Sequence, residues 1–232
     1  MSELPQTVPT HLGFILDGNR RWAREQGLPT LHGHKVGYDK LREIGRECMD
    51  QGIKYVTAYV FSTENWTRDA REVSYLMRLL LRMAKRDVKF ALEHGIRLRF
   101  LGRRDVIDPK IRKAIEEAEE ATKDQTHGTL ALCLDYGGHQ EIADAARQCM
   151  LDGLKTDDIT PAAIGERLYA PDIPPVDMIV RTSGEQRISN FMLWRAAYSE
   201  LLFVPKYWPE MTKQDVTGII EEYNRRTRRF GG

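Results

Sequence analysis

The chain has no surplus of charge. It sets 35 Lys and Arg against 34 Asp and Glu over 232 residues, a formal net charge of +1. A general nucleic-acid binder carries a basic excess, so that class is excluded and any basic site must be local. Cysteine is scarce. Cys48, Cys133 and Cys149 are the three present, and none has metal-ligand or redox spacing. An odd number with no leader reads as reduced thiols in a cytoplasmic protein. No apolar run is long enough to cross a bilayer, and no charged start followed by a hydrophobic stretch marks a targeting segment. These limits leave room for peripheral contact with a membrane surface. Internal repeats are absent, as is any linker long enough to divide domains.

What is present is a globular composition, 41% hydrophobic and 30% charged. Residues 1–10 are polar with two prolines and read as a loose arm. Residues 11–232 then form one domain of a size that supports a sizeable core. Strand-like and helix-like segments alternate. Buried strands are expected at 12–16, 53–61, 96–101, 129–134, 178–180 and 201–203. Helices are expected from Arg20, over 37–50, 72–94, 109–123 and 139–151, from Pro161 and after Thr212. Gly27 and Pro29 break the first helix and leave 30–34 as a loop. Such alternation predicts an α/β fold with a mostly parallel sheet covered by helices. The apolar positions of the 72–94 helix cover more than one narrow stripe. That suits a helix packed on two sides, or the wall of an apolar tunnel softened by Leu and Met.

The informative feature is where the polar residues fall. Leu12 to Leu16 stops at Asp17, and Gly18 and Asn19 suit a tight turn before Arg20, Arg21 and Trp22. Ser62 to Arg68 follows the second strand, and Arg181 to Ser189 follows another. If the strands are parallel, all three clusters meet at one edge, where open α/β sheets bind ligands. Arginines there make an anion site. A carboxylate beside an anion makes sense with a divalent cation between them, since Mg²⁺ is commonly held by one or two carboxylates and phosphate oxygens. Asp17 as the nucleophile of an aspartyl-phosphate phosphotransferase is a second reading, with Asp135 as the only obvious further carboxylate.

The motifs are longer than these clusters. DGNRRWA (17–23), GHKVG (33–37), FSTENWTR (61–68), DYGG (135–138), RTSGEQRISNFMLWRAAYSEL (181–201) and RRFGG (228–232) occur in order along nearly the whole chain. Together they resemble the cis-prenyltransferases, the Z-type isoprenyl diphosphate synthases. The resemblance implies a six-stranded sheet surrounded by helices, an apolar tunnel and a homodimer. It implies sequential addition of isopentenyl diphosphate to an allylic diphosphate primer, giving a polyprenyl diphosphate of undecaprenyl length or shorter.

The same resemblance assigns roles. Asp17 and Glu200 hold Mg²⁺. Gly18, Asn19, Arg20, Arg21, Trp22 and His34 lie about the primer diphosphate. Ser62, Thr63, Glu64, Trp66 and Arg68 belong to a loop closing on the reacting centre, with Asn65 orienting or relaying the departing proton. Arg181, Arg187, Ile188 and Ser189 grip isopentenyl diphosphate on a turn separate from Asp17. The terminal Arg229-Phe230-Gly231 element reaches a neighbouring subunit's site. Val60 and Leu134 narrow the tunnel and stop chain growth. Thr30 departs from the family pattern, which often has arginine there, so the primer grip is weakened unless Arg20 compensates.

Overall fold

The computed structural model describes residues 7–226. Strand β1 (His11–Ile15) is buried along its whole length. It lies between β2 (Tyr55–Ser62) and β5 (Met178–Arg181), parallel to both. Strands buried on both faces read as continuous apolar runs, as HLGFI does. With β3 (Ile96–Leu101), β4 (Gly128–Tyr136) and β6 (Glu200–Phe203) the sheet has six strands in the order β3-β4-β2-β1-β5-β6. Every pairing among them is parallel. β2 flanks β1 on one side and β5 flanks it on the other, so the sheet changes its direction of growth at β1. Ligands of open α/β sheets bind at such a point, beyond the carboxyl ends of the strands.

Seven helices surround the sheet among the described residues: α1 (Asn19–Glu25), α2 (Thr30–Asp50), α3 (Ala70–Glu93), α4 (Pro109–Thr122), α5 (Gly138–Leu151), α6 (Pro161–Gly165) and α7 (Lys213–Arg225). Side chains alternate across the strands. Leu12 and Phe14 join Leu41, Ile44, Leu76, Leu80 and Ile111 under α2, α3 and α4. Ile15, Cys133, Ile179 and Phe191 pack on the opposite face. The three cysteines are free and buried.

Two local expectations change. Residues 30–34 are not a loop but the first turn of α2, for which Pro29 is the N-cap. The proline that ends one helix stands just ahead of the next, where its missing N–H costs nothing. Gly33 is needed there for contact, because a Cβ would lie 2.0 Å from the Asn19 carbonyl oxygen. Within the expected arm, residues 7–10 are tied down. The Thr7 amide donates to Asn224 Oδ1 at 2.9 Å, and the Thr10 amide to Asp177 Oδ2 at 2.8 Å. The RRFGG element at 228–232 lies outside the described residues. No helix among the described residues is long and apolar enough to cross a membrane.

Candidate active site

The chain leaves β1 through Asp17 and Gly18. Gly18 has φ +100°, and a Cβ there would stand 2.6 Å from the Tyr207 ring, so the turn requires glycine. Thr182 joins the end of β1 to that of β5, accepting from the Asp17 amide at 3.0 Å and donating to the Asp17 carbonyl at 2.7 Å. Asp17 is thereby presented to two arginines. Arg181 Nη2 donates to Oδ2 at 2.8 Å, and Arg21 Nη2 to Oδ1 at 3.2 Å. Burial alone would raise the Asp17 pKa. The hydrogen bond and charge of Arg181, the Gly18 amide and Arg21 outweigh it and hold the carboxyl below its ordinary value.

Arg181 also donates through Nη1 to Ser189 Oγ at 2.8 Å and to the Arg187 carbonyl at 2.7 Å. The turn after β5 is therefore not separate from the Asp17 turn; Arg181 spans both. Glu185 links the remaining two cations, meeting Arg21 Nη1 at 3.1 Å and Arg187 Nη1 at 2.6 Å.

A second knot forms around Glu72 in the first turn of α3, a residue only 8% exposed. His34 Nε2 is 3.1 Å from its carboxylate, Arg68 Nη1 3.1 Å and Arg20 Nη1 3.5 Å. Burial lowers the His34 pKa, aided by Arg68 and Arg20 and opposed by Glu72. A neutral ring donating to a carboxylate carries its proton on Nε2. Between the knots, residues Thr63–Thr67 form a 3-10 turn. Asn65 Oδ1 accepts from the Ser62 amide at 3.2 Å. Trp66 Nε1 donates to Asp135 at 2.5 Å, and Arg103 Nε meets the same carboxylate at 2.8 Å. Asp135 is thus occupied in anchoring this turn to the end of β4 and does not join Asp17.

These groups surround the mouth of a cavity of about 860 Å³. Asp17, Gly18, Asn19, Arg20, Arg21 and His34 line it, as do Ser62, Glu64, Asn65 and Arg68. Arg181 and Ser189 complete the set. Its interior is apolar, walled by Leu41, Val60, Leu76, Leu79, Leu80 and Met83. The apolar positions of α3 therefore serve both readings: core packing and the wall of a cavity.

Several expected residues stand elsewhere. Trp22, Thr63, Trp66, Arg187 and Ile188 are not among the lining residues. Leu134 is 2% exposed in the core and does not line the cavity either. Glu200 is not brought to Asp17 within the chain. It opens β6 opposite Met178 at the amino end of β5, whereas Arg181 at the carboxyl end pairs with Phe203. Its carboxylate meets Arg226 Nη1 at 2.9 Å.

Residues absent from the sequence expectations also belong here. Arg24 lines the mouth one turn after Arg20, a spacing readable from the sequence. Asn190 lines it beside Ser189. Glu72 gave no signal, because an acid in a first helical turn is ordinary.

The donor set suits a particular kind of metal site. No cluster of three or more His, Cys, Asp or Glu side chains that could cage an ion exists among the described residues. Asp17 supplies one carboxylate among arginines. That fits Mg²⁺ held largely by diphosphate oxygens and water, and not an all-protein calcium-type cage.

A cationic mouth opening into an apolar cavity takes a molecule with an anionic head and a hydrocarbon tail. The comparisons agree. Residues 15–231 match the family model described as "Putative undecaprenyl diphosphate synthase". The isoprenyl transferase of Thermotoga maritima is 44% identical over 228 residues, 97% of each chain. The Thermococcus kodakarensis tritrans,polycis-undecaprenyl-diphosphate synthase, described as geranylgeranyl-diphosphate specific, is 46% identical over 97% of this chain and 87% of its own length. Lavandulyl diphosphate synthase from Lavandula x intermedia, solved with dimethylallyl diphosphate, superposes with a TM-score of 0.92 at 30% identity over 97% of this chain and 99% of its own. The chain is a prenyltransferase. It belongs to the undecaprenyl diphosphate synthase family, and its fold is that of the cis-prenyltransferases.

Proposed function

We propose that this chain condenses isopentenyl diphosphate repeatedly onto an allylic diphosphate primer, each step making a Z double bond, with Mg²⁺ required. The carrying observation is a cavity that runs from the arginine mouth to the apolar face of α3. The allylic ligand of the lavandulyl relative supports the same reading.

Arg20, Arg21 and Arg24 hold the primer diphosphate, with His34 beside it bonded to Glu72, and Arg24 supplies the cation that Thr30 does not. Arg181, Arg187 and Ser189 hold isopentenyl diphosphate; Arg187 reaches it by leaving Glu185. The primer's allylic C–O bond breaks, its carbon bonds to the terminal alkene carbon of isopentenyl diphosphate, and a proton leaves the adjacent methylene. Negative charge builds on the departing diphosphate, where donors already aimed at it lower the barrier. Asp17 would hold Mg²⁺, which when bound neutralises part of that charge. Asn65 is fixed by the Ser62 amide, and a neutral amide suits orienting the proton on its way to a diphosphate oxygen better than removing it.

The product is undecaprenyl diphosphate or a shorter chain. A cytoplasmic homodimer, with peripheral membrane contact for product release and the 229–231 element acting at the partner's site, completes the reading. Incubation with labelled isopentenyl diphosphate, an allylic primer and Mg²⁺ tests it. Butanol-extractable label is expected, and its near-complete loss in an Asp17→Ala variant that still folds. Phosphate release without chain growth contradicts the reading.

A further inference from the structure

Two polar rungs join α2 to α3. At the mouth, Glu72 meets His34 at 3.1 Å. One turn further along α2, the Tyr38 hydroxyl donates to Asp87 Oδ1 at 2.5 Å. Between the two acids run about 22 Å of helix at 1.5 Å per residue, and the side chains facing the cavity over that length are Leu76, Leu79, Leu80 and Met83. Beyond these cavity-facing side chains α3 carries a buried carboxylate, Asp87, 7% exposed.

A carboxylate is an expensive choice at that position unless it is paired. Asp87 has two partners: the Tyr38 hydroxyl and Arg42 Nε at 3.4 Å. The Arg42 guanidinium lies 4.4 Å over the Phe90 ring, which fixes it in turn. Asp87 therefore holds the Tyr38 side chain in one orientation.

In that orientation Tyr38 lines the cavity. Beyond it is a separate void of about 10 Å³, room for no more than a water, lined by Leu98, Phe100, Leu130 and Leu132 of β3 and β4. Tyr38, Leu41 and Met83 line both spaces and so form the partition. The void lies deeper than Val60. Leu130 and Leu132 pair with Val56 and Ala58, nearer the amino end of β2.

We infer that Tyr38, pinned by Asp87, is the stop that fixes product length. The inference rests on the chain-elongation reading above. A growing apolar tail reaches the ring at the end of the Leu76–Met83 wall, and passing it requires the hydrogen bond to the buried acid to break. Tyr38 is a specificity residue here and touches no reacting atom. Leu98, Phe100, Leu130 and Leu132 are the apolar surface a longer tail would meet once the ring moves.

The test is chromatography of dephosphorylated products from the full-length enzyme and three variants. Tyr38→Ala is expected to shift the main product by at least one isoprene unit. Tyr38→Phe keeps the ring but loses its anchor, and is expected to broaden the distribution towards longer chains. Val60→Ala, which widens the wall above the partition, is expected to lengthen the product by less than Tyr38→Ala does. If Tyr38→Ala does not fold, Tyr38→Phe, nearly isosteric, decides alone. Wild-type lengths from Tyr38→Phe overturn the inference, as does lengthening confined to Val60→Ala. A wild-type enzyme that makes no prenyl chain overturns the elongation reading itself, a result distinct from chains of unaltered length.

Discussion

The Arg181 guanidinium lies 2.8 Å from the Asp17 carboxylate, across the adjoining carboxyl ends of β5 and β1. Its other terminal nitrogen holds Ser189, so one buried side chain connects the groups assigned to the two substrates. Arg187 has no such position; its side chain is more than half exposed and meets Glu185. The two arginines should therefore differ on substitution. Arg181→Ala is expected to lower kcat and raise KM for both substrates. Arg187→Ala is expected to raise KM for isopentenyl diphosphate alone, by about 10- to 100-fold, the equivalent of one charge-assisted hydrogen bond of about 1.5–3 kcal/mol. Steady-state kinetics with each substrate varied in turn checks this. Equal effects of the two variants on both substrates would contradict it.

Glu72 gathers Arg20, Arg68 and His34 at the mouth. Removing it leaves three groups without their common partner and free to move. Glu72→Ala should raise KM for the primer about tenfold and destabilise the fold by about 1–3 kcal/mol. Kinetics and urea unfolding measure the two effects. A variant with wild-type primer affinity would show that the knot does not position the mouth.

His11 gives the fold a pH dependence of known sign. Its ring is buried, with Nδ1 2.9 Å from the Pro174 carbonyl and Nε2 2.5 Å from Thr57 Oγ1. Burial, with help from Arg195, pushes its pKa down to about 4 against the pull of Pro174 and Asp177. In the unfolded chain the ring takes a proton near its ordinary value, so acid favours unfolding between about pH 6.5 and 4. The loss from this group is about 2 kcal/mol by pH 5. Urea midpoints at pH 7 and pH 5 should show it, and His11→Gln should show a smaller drop. The same pH slope in both proteins would assign the effect elsewhere.

Leu134 separates core packing from chain-length control. It is buried against the α2, α3 and α4 side of the core and does not line the cavity. Leu134→Ala should cost about 2–5 kcal/mol, as other buried Leu truncations do, with product length unchanged. A longer product from a stable variant would place this side chain in the path of the tail.

Much of the site could be read in the sequence because each polar cluster follows an apolar run. Asp17, Ser62 and Arg181 stand at such boundaries, and parallel pairing brings them to one edge. What could not be read depended on contacts or on direction. Thr30 to His34 looked like a loop because proline and glycine are breakers, yet Pro29 caps α2 and Gly33 lets it rest on Asn19. Glu72 resembles any acid in a first helical turn until Arg20, Arg68 and His34 are seen around it. Glu200 stands at a strand end as Asp17 does, but it opens its strand where Asp17 follows one, and so lies at the opposite edge of the sheet within the chain. The share of each guanidinium that goes to Asp17, Ser189 or Glu185 depends on side-chain geometry that spacing does not carry.

The central claim is that the ligand head sits at Asp17 and Arg181 while its tail runs along α3 towards Tyr38. A fifteen-carbon allylic diphosphate with a photoreactive group at the tail end tests it directly, by mass-spectrometric mapping of the labelled peptides. The account predicts label on α2 and α3 among Tyr38, Leu41, Leu79, Leu80 and Met83, lost when unlabelled primer competes. Label on exposed apolar residues such as Met150 and Leu151 of α5, or labelling that excess primer does not suppress, would contradict it.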